Sequence, residues 1–278
     1  IMPKACASLS AVWVMTQTGR ERHDILPPLT PPREGEGKAS PLHARGVPAW
    51  DLPTRLFHWT LVLLIVSAWV SFEFAEDMGD ETLVWHRANG LAILVLIVWR
   101  LLWGVWGSST ARFAGFVRGP AAVLAYVRGL LAGRAARYLG HNPLGALMVL
   151  ALLATLAAQG GFGLFATDDN DLVGGPLYRL VDEAQNVRAA RLHGFVFNFV
   201  LLPLVLLHIV VNTLYTLVKR EPLIPAMLTG RKPAEPYADA PEAAIATHPL
   251  LRALLCLIAA AVIVLGGILA LGGRLALY

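Results

Sequence analysis

The chain has 278 residues, of which 56% are hydrophobic and only 15% charged, with a formal net charge of +4. A soluble domain of this size is usually about a quarter charged, and here the apolar residues gather in long runs, which excludes an ordinary soluble globule and marks a membrane protein. The basic residues cluster beside those runs, a pattern of bilayer orientation that speaks against nucleic-acid binding.

Residues 1–47 include the low-complexity run PPLTPPREGEGKASP, which cannot build a core. The apolar stretch Ala5–Met15 is too short to span a bilayer, and no convincing small-residue cleavage site follows it. This part reads as a disordered or wrongly assigned leader, with the folded protein starting near Val47. The two cysteines, Cys6 and Cys256, form no CxxC or CxxCH pattern. That argues against a disulfide framework, a zinc site and covalently attached haem.

Five candidate spans follow, at about Leu56–Phe72, Leu83–Trp106, Pro143–Phe165, Leu192–Val218 and Ala253–Leu271. Each has the roughly 17–25 residues a helix needs to cross the hydrocarbon, and none alternates as barrel strands do. Arg87 and Arg100 in the second span can snorkel to opposite interfaces. The 101–142 loop carries Arg112, Arg118, Arg128, Arg134 and Arg137 without one acidic residue, whereas EFAEDMGDE after the first span has no Lys or Arg. The positive-inside rule then puts the N-terminus in the cytoplasm and loop 166–191 outside. Trp59, Trp99, Trp103 and Trp106 are expected at the inner interface, and Trp69 and Trp85 at the outer one. GPAAVLAYVRGLLAGRAARYL is too short and too rich in arginine to span, and reads as an amphipathic helix on the cytoplasmic surface. Asn142 and Pro143 are placed to cap and open the third span, which leaves His141 a structural role at the interface.

A histidine in lipid costs free energy unless something pairs with it. On this topology His58 lies near the cytoplasmic start of span one, and His86 and His193 near the outer starts of spans two and four. His208 is fifteen residues beyond His193, about 22 Å deeper on the same helix. The net rotation over that interval is roughly 60°, so both rings face one side. Depth therefore pairs His86 with His193 and His58 with His208. Two neutral imidazoles from facing helices suit the two axial positions of a haem b iron. A bare metal would want three or four clustered ligands, and none lie at these depths. Gly90 and Gly194 can let a porphyrin edge approach the backbone. Arg55, Arg87, Arg100 and Arg191 are candidate partners for haem propionates. Each of these residues alone has a blander reading, the histidines as interfacial polar groups, the arginines as anchors, the glycines as packing sites. Together, four histidines on three helices at two matched depths favour haem ligation over those readings.

The segments VPAWDLPTRLFHW, WHRANG, WRLLWG, RYLGHNPLG, LHGFVFNFVLLPLVLLHI and LVKREPLIPAMLTGRK, over about residues 47–233, resemble the bacterial cytochrome b561 family, including the b-type cytochrome subunits of nickel-iron hydrogenases. The resemblance implies a di-haem helical membrane protein passing electrons between a redox partner and the quinone pool, with His58, His86, His193 and His208 as axial ligands. The expected fold class is thus all-α integral membrane: a four-helix transmembrane haem-binding bundle (48–233), a linker (234–248) and an additional C-terminal transmembrane helix (249–278) packed peripherally. Two haem b groups are expected as cofactors. The expected partners are a quinone, a periplasmic cytochrome c or hydrogenase-like subunit, and membrane lipid. The expected setting is the bacterial inner membrane, and the expected role is an electron-transfer subunit rather than a stand-alone enzyme. A haem-free membrane scaffold or small transporter is the competing reading. It would call for broken helices or inverted repeats, and no repeat is visible.

Overall fold

In the computed structural model the described residues are 46–79, 81–167, 174–239 and 244–275. The expectations for the leader up to residue 45 lie outside them. The elements, in order, are β1 (Val47–Pro48), α1 (Leu52–Glu73), α2 (Ala75–Met78), α3 (Glu81–Trp106), α4 (Phe113–Phe116), α5 (Pro120–Leu131), α6 (Pro143–Gly163), α7 (Glu183–Val196), α8 (Leu202–Leu217), α9 (Leu223–Thr229), β2 (Arg231–Lys232), α10 (Pro249–Ala261) and α11 (Gly267–Ala270). Five stretches are long and apolar enough to cross a membrane: Leu52–Glu73, Thr82–Trp106, Pro143–Gly163, Glu183–Leu217 and Pro249–Ala270. The chain is an all-α integral membrane protein, and its spans fall where the apolar runs predict.

Local chemistry sets the ends of these helices. Asp51 caps α1 by accepting a hydrogen bond from the Thr54 amide at 2.7 Å, and Asn142 caps α6 through the Gly145 amide at 2.8 Å, with Pro143 in the first turn. Both side chains satisfy a donor that has no partner inside its helix. Helix α5, between the second and third spans, is shorter than its arginine-studded segment predicts. It stops at Gly133, in the left-handed region at φ +70°, where the Arg134 amide reaches back to the Gly129 carbonyl at 2.7 Å and the Gly133 amide to Leu130 at 3.1 Å. This is a Schellman ending, which glycine adopts without a Cβ penalty.

The fourth span runs through α7 and α8 with one π turn, Phe197–Leu201, between them. Pro203 explains its place. A proline has no amide hydrogen and its ring clashes with the carbonyl four residues back, here that of Phe199. The turn widens ahead of it: the Leu202 amide donates to Phe197, five residues back, and the Asn198 side-chain amide donates to the Gly194 carbonyl at 2.9 Å. A π turn holds one extra residue. The interval from His193 to His208 therefore advances like about fourteen α-helical residues, giving a net rotation of about −40° in place of about +60° and an axial separation of about 21 Å. The two rings still share a face.

Packing divides the interior into three parts. Ile93, Ile97, Leu156 and Leu201 are buried with Leu61, Leu64, Ile65, Ala68, Leu152, Phe197 and Val205 around them, so the first four spans meet in one apolar layer. A second cluster joins Trp99, Trp103 and Ala111 to Cys256 and Ala260 of α10. Trp99 and Trp103, expected at the inner interface, are instead buried, Trp103 fully. Their indoles donate inward to Ala253 O (3.0 Å) and Thr54 Oγ1 (3.1 Å), because the fifth span covers this face of α3. The third cluster lies at the start of span one, where β1 pairs antiparallel with β2, Val47 opposite Lys232. There Ala49 and Trp50 both donate to Gly230 O. The segment after span four is thereby clamped to the start of span one. The segment expected as a linker is also held: Asp239 accepts from the Leu139 (2.5 Å) and Gly140 (2.8 Å) amides, and Glu235 pairs with Arg137. On its far side the Ala244 and Ala246 amides donate to Ser109 Oγ and Ser108 Oγ.

Candidate functional site

The four histidines meet in the two pairs that depth predicts. His58 of α1 faces His208 of α8 with ring centroids 6.4 Å apart at 44°, and His86 of α3 faces His193 of α7 with centroids 6.0 Å apart at 80°. Two imidazoles bound end-on to one metal, at about 2.0–2.1 Å per bond, put their centroids about 6.3 Å apart. Both pairs have the spacing of an axial couple. The apolar layer around Ile93, Ile97, Leu156 and Leu201 belongs to the same four spans that carry or flank them.

The His86–His193 pair is the more tightly ordered. Nδ1 of His86 lies 2.8 Å from the Ala68 carbonyl and Nδ1 of His193 lies 2.9 Å from the Gln159 carbonyl. A carbonyl oxygen can only accept, so both rings carry their hydrogen on Nδ1 and keep the Nε2 lone pair free for a metal. In the structure the Gln159 side-chain amide donates to His193 Nε2 at 3.1 Å, holding the nitrogen that an iron would take. Gly163 gives the His193 ring its room: a Cβ there would stand 3.1 Å from the imidazole. At Gly90 and Gly194 a Cβ would meet nothing within 4 Å, so both leave open space beside a histidine.

Among the described residues the His58–His208 pair has no such acceptors. His58 Nδ1 is buried without a hydrogen-bond partner among them. His208 Nδ1 faces the Asn212 amide nitrogen at 3.3 Å. That nitrogen also donates to the His208 carbonyl at 2.7 Å, a contact only an N–H group can make, so the amide cannot turn its oxygen to the ring.

The candidate arginines divide by the partners they find among the described residues. Arg55, one turn before His58, donates to Thr229 O at 3.1 Å and keeps a buried Nε without a partner. Arg87, next to His86, donates to Arg274 O at 2.5 Å and likewise keeps a buried Nε. Arg100 is 3% exposed, lies over the Phe113 and Phe116 rings at 4.9 and 5.9 Å, and leaves one terminal nitrogen unpartnered. Arg191 is exposed on α7; two residues before His193 it points to the opposite side of the helix and is not brought to either pair. His141 packs between Trp50 and Phe116, at 4.8 and 4.5 Å. Burial, then the nearby charges of Arg100 and Lys232, lower its pKa to about 3.

Gln159 and Asn212 were not among the residues singled out from sequence. Their signal was present, since each is an amide inside an apolar span, and such residues are costly and functional by default. Among the described residues no three His, Cys, Asp or Glu side chains converge to hold a metal. Paired imidazoles, with glycines leaving space beside them and Arg55 and Arg87 within a turn of His58 and His86, fit a haem held by two axial nitrogens.

A family model described as prokaryotic cytochrome b561 matches residues 49–230. No curated protein and no solved structure matches the chain. The matched region runs from the β1–α1 junction to the end of α9 and contains all four paired histidines. The chain belongs to the prokaryotic cytochrome b561 family and is a haem-b-binding membrane cytochrome of electron transfer.

Proposed function

We propose that the chain is a di-haem cytochrome that carries single electrons between a redox partner at one membrane face and the quinone pool, the haem domain being residues 48–233. The observation that carries this reading is the meeting of four histidines in two pairs at metal-bridging distance, about 21 Å apart along one helix. Bound haem would supply a one-electron ferric–ferrous couple at each pair. His86 and His193 would hold one haem, and His58 and His208 the other. Arg55, Arg87 and Arg100 would face propionates with the nitrogens they now leave unpartnered, and Gly90 and Gly194 would admit the porphyrin edge. The apolar layer between the pairs keeps water and protons from the path between them.

The arginine-rich 101–142 loop supports a cytoplasmic N-terminus. That puts the His58–His208 pair inside and the His86–His193 pair outside, in the bacterial inner membrane. A periplasmic cytochrome c or hydrogenase-like subunit would then meet the outer pair. The fifth span, covering the Trp99–Trp103 face of α3, is an accessory to the haem domain.

Purified protein is expected to give a low-spin b-type reduced-minus-oxidised spectrum and two haems per chain by the pyridine haemochrome assay. His208→Ala is expected to halve the haem content, leaving the His86–His193 site filled. Absence of the b-type signal would replace this reading with that of a haem-free scaffold, and two haems retained in His208→Ala would sink the pairing.

A further inference from the structure

We infer that the end of the fifth span is a positioning element of the His86–His193 site, holding the Arg87 guanidinium for a haem propionate through the carbonyl of Arg274. This rests on the di-haem reading and gives that site a part contributed from beyond the matched family region, residues 49–230.

The span is built to stop at this point. The Gly272 amide donates to Leu269 O at 3.0 Å and the Gly273 amide to Ile268 O at 2.8 Å, with Gly272 in the left-handed region at φ +83°. This is a second Schellman ending, and it releases the chain onto the loop that precedes α7. There the Arg274 amide donates to Pro176 O at 3.0 Å, and the Arg274 carbonyl accepts from Arg87 at 2.5 Å. Gly273 fits with nothing to spare. A Cβ there would stand 2.6 Å from Leu177 Cδ2 and 2.8 Å from Pro176 O.

The loop beneath is itself fixed. Its Gly175 and Leu177 amides donate to Ala166 O at 2.7 Å and Leu164 O at 2.8 Å, at the end of α6, where Gly163 borders the His193 ring. The turn after span five therefore ties α3 beside His86 to the end of α6 beside His193.

Arg87 follows His86 directly. A carbonyl carries only part of a charge, so the bond to Arg274 orients the guanidinium without neutralising it. Arg87 has no ion pair among the described residues, and its Nε is buried there without a partner. A cation held in this way is costly until a carboxylate meets it. The propionates of a haem on His86 are such carboxylates, and a cation beside the iron favours its ferrous state.

Redox titration of the haem-loaded full chain, followed in the visible α-band, reads this role, and the wave lost in His193→Ala identifies the His86–His193 haem. Arg87→Gln is expected to move that wave down and leave the other in place, and Arg87→Lys, which keeps the charge, to move it less. Gly273→Val, which cannot seat against Leu177 and Pro176, should shift the same wave in the same sense with two haems retained. Combined with Arg87→Gln it should shift that wave no further than Arg87→Gln alone, since both act through one guanidinium. Gly273→Ala carries the same expectation in milder form, should valine unfold the protein. A folded glycine variant whose wave stays put, or a double variant whose shifts add, overturns the positioning role while the di-haem reading stands. Fewer than two haems in the unaltered protein overturns both.

Discussion

A buried histidine remains neutral only at a cost that acid reveals, and His141 shows this at the scale of one residue. Enclosed by Trp50 and Phe116 and beside the charges of Arg100 and Lys232, it has a folded pKa lowered from 6.5 to about 3. Below about pH 6.5 the unfolded chain takes up a proton that the folded chain refuses, so stability falls as pH falls, down to the folded value. The slope is about 1.4 kcal/mol per pH unit, or about 2 kcal/mol by pH 5. His141→Phe should lose less stability than the unaltered protein between pH 7 and pH 5, measured as the shift in thermal unfolding midpoint. An equal loss in both would remove His141 as a source of acid sensitivity. A structural role was the expectation from GHNPLG. Its enclosure by two aromatic rings was not, because Trp50 and Phe116 lie 91 and 25 positions away in the chain.

At the scale of the element, the fourth span shows how spacing survives a local irregularity. The π turn adds one residue ahead of Pro203, so deleting Phe199, which is 70% exposed, should return the segment to α-helix. The phase between His193 and His208 would be kept. Inserting one alanine after Phe199 should instead rotate His208 by about 100° away from His58. The deletion is expected to bind two haems per chain and the insertion one, by pyridine haemochrome content; the reverse would show that the turn does not set the register. Fifteen residues between histidines were enough to read two depths on one face. The extra turn was not readable, since Pro203 dictates a disturbance without dictating whether the helix kinks, widens or breaks.

For the molecule as a whole, the question is what the fifth span does for the other four. Ala260 is fully buried against the Trp99–Trp103 face of α3, where there is room for a methyl group and little more. Ala260→Phe should cost about 1–3 kcal/mol by overpacking. It should lower the unfolding temperature in detergent and leave both haems bound, because no haem candidate lies on that face. Loss of one haem in the variant would make this span part of the site. The number of spans, the caps at Asn142 and Pro143 and the matching of four histidines by depth were all determined by the sequence. Each depends on hydropathy, helix period or a neighbour within one turn. The tertiary structure alone decided which partners sit behind those rings: the Ala68 carbonyl behind His86, Gln159 behind His193, and no hydrogen-bond partner for His58 Nδ1 among the described residues. It also decided that Trp99 and Trp103 turn inward to α10 and that β1 closes on β2. Those are choices about how helices rotate against one another. Packing between distant residues makes them, and no local pattern in the chain records it.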